Sequence, residues 1–204
     1  MGTTAINNMV DQLTVVIKPT RNCNLACTYC SVGEPSGEFM SRDIVDKVVK
    51  KIVSREEKSL TKFIWHGGEP LLPGIDFYNY VVEIQKPLRD NGYRITNVIQ
   101  TNGTLINERW AKFFKEQRFG VGLSIDGPKE VNDRTRVYRG NAGAFDAIKR
   151  GADVLEEHGV DFGYLVVMSK QNIGSIDEII DFMKTQKRSY KLVAVAPIGR
   201  ASRD

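Results

Sequence analysis

Apolar positions along this chain follow two alternating rhythms. Short runs rich in β-branched residues, at 13–18, 62–65, 94–100, 120–125, 160–168 and 190–196, read as strands. Between them, apolar residues recur three and four apart. Ile44, Val45, Val48, Val49 and Ile52 form one such set, and Phe77, Tyr80, Val81 and Ile84 another. Trp110, Phe113 and Phe114 make a third, and Ile176, Ile179, Ile180 and Met183 a fourth. These sets predict helices over 42–58, with Ser41 as N-cap, over 75–89, over 107–116 and around 176–183. A further helix is expected over 142–157, after a polar loop that carries Arg134, Arg136 and Arg139. Residues 31–40 hold two glycines and a proline and are expected to be irregular.

Six alternations of strand and helix, with apolar strands, indicate an α/β fold in which helices cover a parallel sheet. Periodicity does not separate a barrel from an open doubly wound sheet. Both gather ligands at the carboxyl ends of the strands, and there the chain changes character. Cysteines follow the first strand and His66-Gly67-Gly68-Glu69-Pro70 the second. Gln100-Thr101-Asn102-Gly103 ends the third, and Asp126-Gly127-Pro128 follows the fourth. Four polar or glycine-rich strand ends side by side point to one shared site.

Composition narrows the class. The 204 residues suit one sizeable domain, read as a polar segment over 1–12 and a core over 13–204. With 41% hydrophobic and 26% charged residues the chain reads as a soluble globular protein. The net charge of +4 is mild and spread along the chain, which argues for a solvated surface and against nucleic-acid binding. Apolar runs are too short for a membrane span, and the first twelve residues lack the apolar core of a secretory signal.

All three cysteines, Cys23, Cys27 and Cys30, lie within eight positions. An odd, clustered set cannot form a self-contained disulfide framework, and unsignalled clustered thiols point to the cytoplasm. Three thiolates on one loop suit a soft metal centre, one ligand short of a closed tetrahedral zinc site or a fully ligated 4Fe-4S cube. Zinc with His66 as fourth ligand is one reading; an iron–sulfur cube with an open coordination position is the one adopted. Gly67 and Gly68 lack a Cβ, so a ligand could approach their backbone, and Glu69 could accept from a cationic group. The same residues could form a plain turn. Ser124 and Asp126 share a face of the fourth strand, and Arg136 is suited to pair with a carboxylate. His158 is placed at a helix C-terminus, and Trp65, Trp110, Phe113 and Phe114 are placed in the core.

The triad, with aromatic Tyr29 just before its last cysteine, resembles the signature of radical S-adenosylmethionine enzymes. Residues 65–72, 100–105 and 123–128 are similar to motifs of the anaerobic sulfatase-maturating enzymes and related peptide-modifying enzymes. This resemblance implies a partial (β/α)6 TIM-like barrel. It implies a 4Fe-4S cluster on Cys23, Cys27 and Cys30, with S-adenosylmethionine chelating the open iron. Gly67, Gly68 and Glu69 are then expected at the cofactor's amino group, Tyr29 at its adenine, and Ser124 and Arg136 at its ribose and carboxylate. His66 and Leu165 match positions lining the cofactor cavity. A peptide or protein substrate and an electron donor such as flavodoxin or ferredoxin are implied as partners.

The chain departs from that pattern in two places. Relatives often carry His-Asp-x-x-Arg after the fourth strand, where this chain has Asn132-Asp133-Arg134-Thr135-Arg136. They also continue into a cysteine-rich SPASM extension, whereas this chain ends at Asp204, so a fragment of a longer enzyme is expected, with a minimal form as the alternative. A barrel that binds cluster and cofactor without turnover is the second functional reading, and a zinc-stabilised barrel the third.

Overall fold

Six strands pair in parallel and in chain order: β1 (Gln12–Thr20), β2 (Leu60–Gly67), β3 (Arg94–Thr101), β4 (Gly120–Ser124), β5 (Phe162–Met168) and β6 (Tyr190–Ala194). The computed structural model describes residues 12–32, 37–55, 60–196 and 198–203. A doubly wound sheet reverses its strand order at a switch point. This sheet does not, so it is a half-barrel, and the choice left open by periodicity is settled.

Strands β2 and β3 alternate in burial along their whole length. Phe63 and Trp65 of β2, Ile99 of β3 and Val121 and Leu123 of β4 face the helices and are buried. His66, Gln100, Ser124 and Leu165 point to the opposite, concave side near the strand ends. The helix-side core is aromatic. Trp65 meets Tyr78 edge-on at 5.7 Å between ring centroids, and Tyr78 meets Trp110 at 5.7 Å. Tyr78 comes from α2 (Ile75–Asp90) and Trp110 from α3 (Glu108–Glu116), and Trp65, Trp110, Phe113 and Phe114 all lie in the core as expected.

α1 (Arg42–Val53) starts as expected, with Ser41 Oγ accepting from Ile44 N–H. It stops at Val53, short of 58, because residues 54–58 offer no apolar group to continue the buried face. Residues 56–58 lie outside the described residues, as do 33–36 of the irregular segment and 1–11 of the polar segment.

The arginine-bearing loop contains a helix, α4 (Lys129–Thr135), entered through Pro128 and burying Val131, Asn132 and Thr135. α5 (Phe145–Glu157) begins later than 142, because 142–144 fold back to pair with 136–138 through Tyr138 N–H to Ala142 O and Ala144 N–H to Arg136 O. Its end is a Schellman turn: Gly159, at φ +61°, donates to Glu156 O and Val160 N–H to Leu155 O. Val160 is therefore spent on the helix, and β5 begins at Phe162. His158 caps that helix C-terminus, its Nδ1 2.9 Å from Val154 O. After β5, α6 (Ile176–Thr185) buries Ile179 and Met183. β6 ends at Ala194, two residues before the expected limit, and all five of its residues are exposed. No helix among the described residues is long and apolar enough to cross a membrane.

Candidate functional site

The cysteine loop runs from the end of β1 across the mouth of the half-barrel and is fastened on several sides. Gly68 N–H donates to Thr20 O and Glu69 N–H to Asn22 O, tying it to the turn after β2. Opposite, Ala26 N–H donates to Val137 O at 2.7 Å and Thr28 N–H to Thr135 O at 3.0 Å. The backbone on either side of Arg136 thus holds the loop. Thr28 Oγ1 donates to Gln171 Oε1 at 2.6 Å. Arg200, in the short 3-10 turn Gly199–Arg203, donates its backbone N–H to Cys30 O and its Nη1 to Cys27 O.

These clasps enclose a cavity of about 340 Å³, within the range of small-molecule sites. Its walls bring together Cys23, Cys27 and Cys30 with Tyr29, His66, Gly67, Gly68, Ser124, Arg136 and Leu165. Every expected site residue except Glu69 is on that wall. Burial pushes the Cys23 thiol up to about 12 and also raises that of Cys27, so thiolates here need a cation to compensate them. Among the described residues no three His, Cys, Asp or Glu side chains converge as a single ion requires. The Cys3His zinc reading therefore finds no cage. His66 Nδ1 is engaged by Gly67 N–H at 2.5 Å, and burial lowers its pKa.

The two glycines also meet the cysteine loop closely. A Cβ on Gly68 would lie 2.0 Å from Asn22 O, and one on Gly67, at φ +125°, 2.5 Å from Thr20 O. Backbone at the start of the cysteine loop occupies that space. Glu69 is fully buried behind the wall. Its Oε1 accepts from Leu71 N–H and Thr101 Oγ1, and its Oε2 from Asn102 N–H at 2.8 Å. The carboxylate thus pins the turn after β2 to the end of β3. Burial pushes its pKa up to about 7, although those donors pull the other way.

Asp126, expected on the same face as Ser124, is a fully buried hub. Its Oδ2 accepts from Tyr29 OH at 2.6 Å and Thr135 Oγ1 at 2.9 Å, and its Oδ1 from Arg136 Nη2 and Val167 N–H at 3.0 Å. Four donors leave it no free position as a base. Asn132, standing where relatives often have histidine, accepts from Asp126 N–H with Oδ1 at 3.1 Å. Burial alone would lower the Arg136 pKa; Asp126 first, then Tyr29 and Cys27, outweigh it and raise the pKa. Arg136 lies 5.5 Å above the Tyr29 ring, and its buried Nε has no hydrogen-bond partner. A buried guanidinium N–H left unpaired beside a cavity is free to donate to an acceptor placed there.

Gln100 was not singled out from sequence. Its Nε2 donates to Ser124 Oγ at 2.9 Å on the cavity wall. The signal for it was Gly122, its register partner on β4, where a Cβ would lie 2.1 Å from Gln100 Oε1. Asn102, Val167 and residues 193–196 also line the cavity and were likewise not chosen.

Residues 17–183 match the Radical SAM superfamily. The chain is 38% identical over 182 residues to the cysteine-type anaerobic sulfatase-maturating enzyme of Clostridium novyi (strain NT), covering 85% of this chain and 48% of that protein. It is 34% identical over 194 residues to the serine-type enzyme of Bacteroides thetaiotaomicron, covering 91% of this chain and 46% of that protein. The structure of native anSMEcpe with bound AdoMet and Cp18Cys peptide superposes with a TM-score of 0.84 at 31% identity, covering 91% of this chain and 51% of that one. The chain thus spans about half the length of these relatives. With its sequential half-barrel, its three-cysteine loop and a match spanning residues 17–183, this chain belongs to the radical SAM superfamily.

Proposed function

We propose that this chain is the core of a radical S-adenosylmethionine enzyme that modifies a peptide or protein, of the sulfatase-maturating or ribosomal-peptide-modifying kind. The observation that carries the reading is the buried, unpartnered Nε of Arg136 on a cavity wall shared with all three cysteines. Relatives named as sulfatase-maturating enzymes, and a neighbour holding AdoMet and a peptide, support the substrate class.

Cys23, Cys27 and Cys30 would hold the 4Fe-4S cluster, their loop kept in shape by the clasps from Thr135, Val137 and Arg200. Arg136 Nε donates to the carboxylate of S-adenosylmethionine. Gly67 and Gly68 present backbone acceptors to its amino group; Glu69 acts from behind by fixing their turn. Ser124, oriented by Gln100, serves the ribose. The Tyr29 ring, anchored through its hydroxyl to Asp126, packs on the adenine, and His66 and Leu165 complete the wall. When bound, cluster and cofactor together supply reductive sulfonium cleavage and a 5′-deoxyadenosyl radical that abstracts hydrogen. The residues here position that cofactor and limit its exposure to water. The electron donor is a flavodoxin or ferredoxin, and the setting is the cytoplasm, where clustered thiols stay reduced.

Anaerobic reconstitution tests this. The protein should take up about four irons per chain and form 5′-deoxyadenosine when reduced with S-adenosylmethionine. A Cys27→Ala variant that keeps both properties would sink the reading.

A further inference from the structure

Asn102 sits at the end of β3, and its side chain is locked. Oδ1 accepts from Thr104 N–H at 3.0 Å and Thr104 Oγ1 at 2.7 Å, which fixes the amide's orientation. Nδ2 therefore faces the cysteine loop. It donates to Asn24 Oδ1 at 2.9 Å and to Cys23 Sγ at 3.7 Å. Asn24 Nδ2 closes the ring by donating to Thr104 Oγ1 at 2.7 Å. The Asn102 backbone is fixed too, through its N–H to Glu69 Oε2. Cys23 Sγ also accepts from Leu25 N–H at 3.4 Å. A side-chain amide held by this many partners, with one N–H left for a sulfur, is a built contact.

We propose that Asn102 sets the reduction potential of the cluster through its hydrogen bond to Cys23. It is a positioning residue, outside the reacting atoms, and the inference rests on reading Cys23, Cys27 and Cys30 as cluster ligands. A reduced cluster carries one more negative charge than an oxidised one. An N–H pointing at a ligand sulfur therefore stabilises the reduced form more and raises the potential. The Thr-Asn-Gly sequence gains a division of labour: Thr101 binds Glu69, Asn102 aims at Cys23, and Gly103, at φ +77°, turns the chain against Leu123.

The test is an EPR-monitored redox titration of reconstituted protein, with iron and sulfide assayed alongside, for the unmodified chain and for Asn102→Ala, Asn102→Asp and Thr104→Val. Asn102→Ala should keep its iron and show a roughly tenfold smaller equilibrium constant for reduction, equal to about 59 mV for one electron. Asn102→Asp, which replaces the donor with negative charge, should shift further. Thr104→Val, which keeps the backbone donor to the amide but removes the hydroxyl that also holds it, should fall between. Full iron content with the unmodified potential in both Asn102 variants overturns the inference and leaves the cluster reading standing. An unmodified chain that binds no iron removes both. If the Asn102 variants fail to load iron, Thr104→Val decides: an unchanged potential overturns the inference and a lowered one supports it.

Discussion

Arg136 divides its guanidinium between two partners: Nη2 donates to Asp126 Oδ1 at 3.0 Å, and buried Nε is left for a ligand. The two roles can be separated. Arg136→Lys keeps a cation for Asp126 but loses the second donor, and should weaken S-adenosylmethionine binding by roughly 10- to 100-fold. Arg136→Ala strands a buried carboxylate and should also cost the fold about 3–5 kcal/mol. Calorimetric titration of reconstituted protein and urea unfolding read the two effects. Unaltered affinity in the lysine variant would refute the assignment of Nε to the cofactor.

Asp126→Asn tests whether the carboxylate is architectural. The amide turns an NH₂ toward donors already placed by Tyr29, Thr135, Arg136 and Val167. Stability should fall by about 3 kcal/mol, with loss of near-ultraviolet dichroism as Tyr29 is released. A variant of unchanged stability would show that the carboxylate is not architectural.

The glycines make opposite predictions. In Gly68→Ala the new methyl meets backbone, Asn22 O at 2.0 Å, which cannot move without shifting the cysteine loop. A loss of about 3 kcal/mol and impaired iron uptake are expected. In Gly122→Ala the obstacle is the mobile end of Gln100, so the fold should lose less than about 1 kcal/mol. Ser124 then loses its Gln100 partner, and cofactor affinity should decline. Gly140→Ala, with nothing within 4 Å, is the control. Thermal unfolding and iron assays distinguish the three.

The strand ends were legible because each closes an apolar run with glycine or polar residues, a pattern that survives whatever the loops do. The cysteines and Ser124 could be named for the same reason, whereas Leu165 and the role of Arg136 came from the family resemblance. What could not be read was direction. Glu69 looks available in a linear motif, yet Leu71, Thr101 and Asn102 claim its oxygens once β3 lies beside β2. The Asp126–Arg136 pair was hidden by α4, whose only buried apolar residue, Val131, gives no helical period. Gln100 became visible only through the register that sets it opposite Gly122.

Glu69 also carries a pH prediction. The fold raises its pKa from 4.5 to about 7 through burial. The folded state thus holds a proton that the unfolded chain releases first. The associated stabilisation is complete below pH 4.5 and is lost as pH rises through 7. The loss is on the order of 3 kcal/mol. Glu69→Gln does not titrate, so the stability of the unmodified chain relative to that variant should decline between about pH 5 and 8. Urea unfolding of metal-free protein at stepped pH measures it. A difference independent of pH would show that the carboxyl stays ionised in the fold.

The bond from Arg200 to the Cys27 carbonyl joins positions 173 residues apart. Closing so long a loop costs more chain entropy than the shorter-range clasps do. The neighbouring strand ends shape most of the cysteine loop, but this last clasp comes from beyond the sixth strand. That clasp on the cysteine loop thus depends on a segment lying beyond the whole sheet in sequence, so any change that frees the turn after β6 loosens the thiols at the opposite end of the chain.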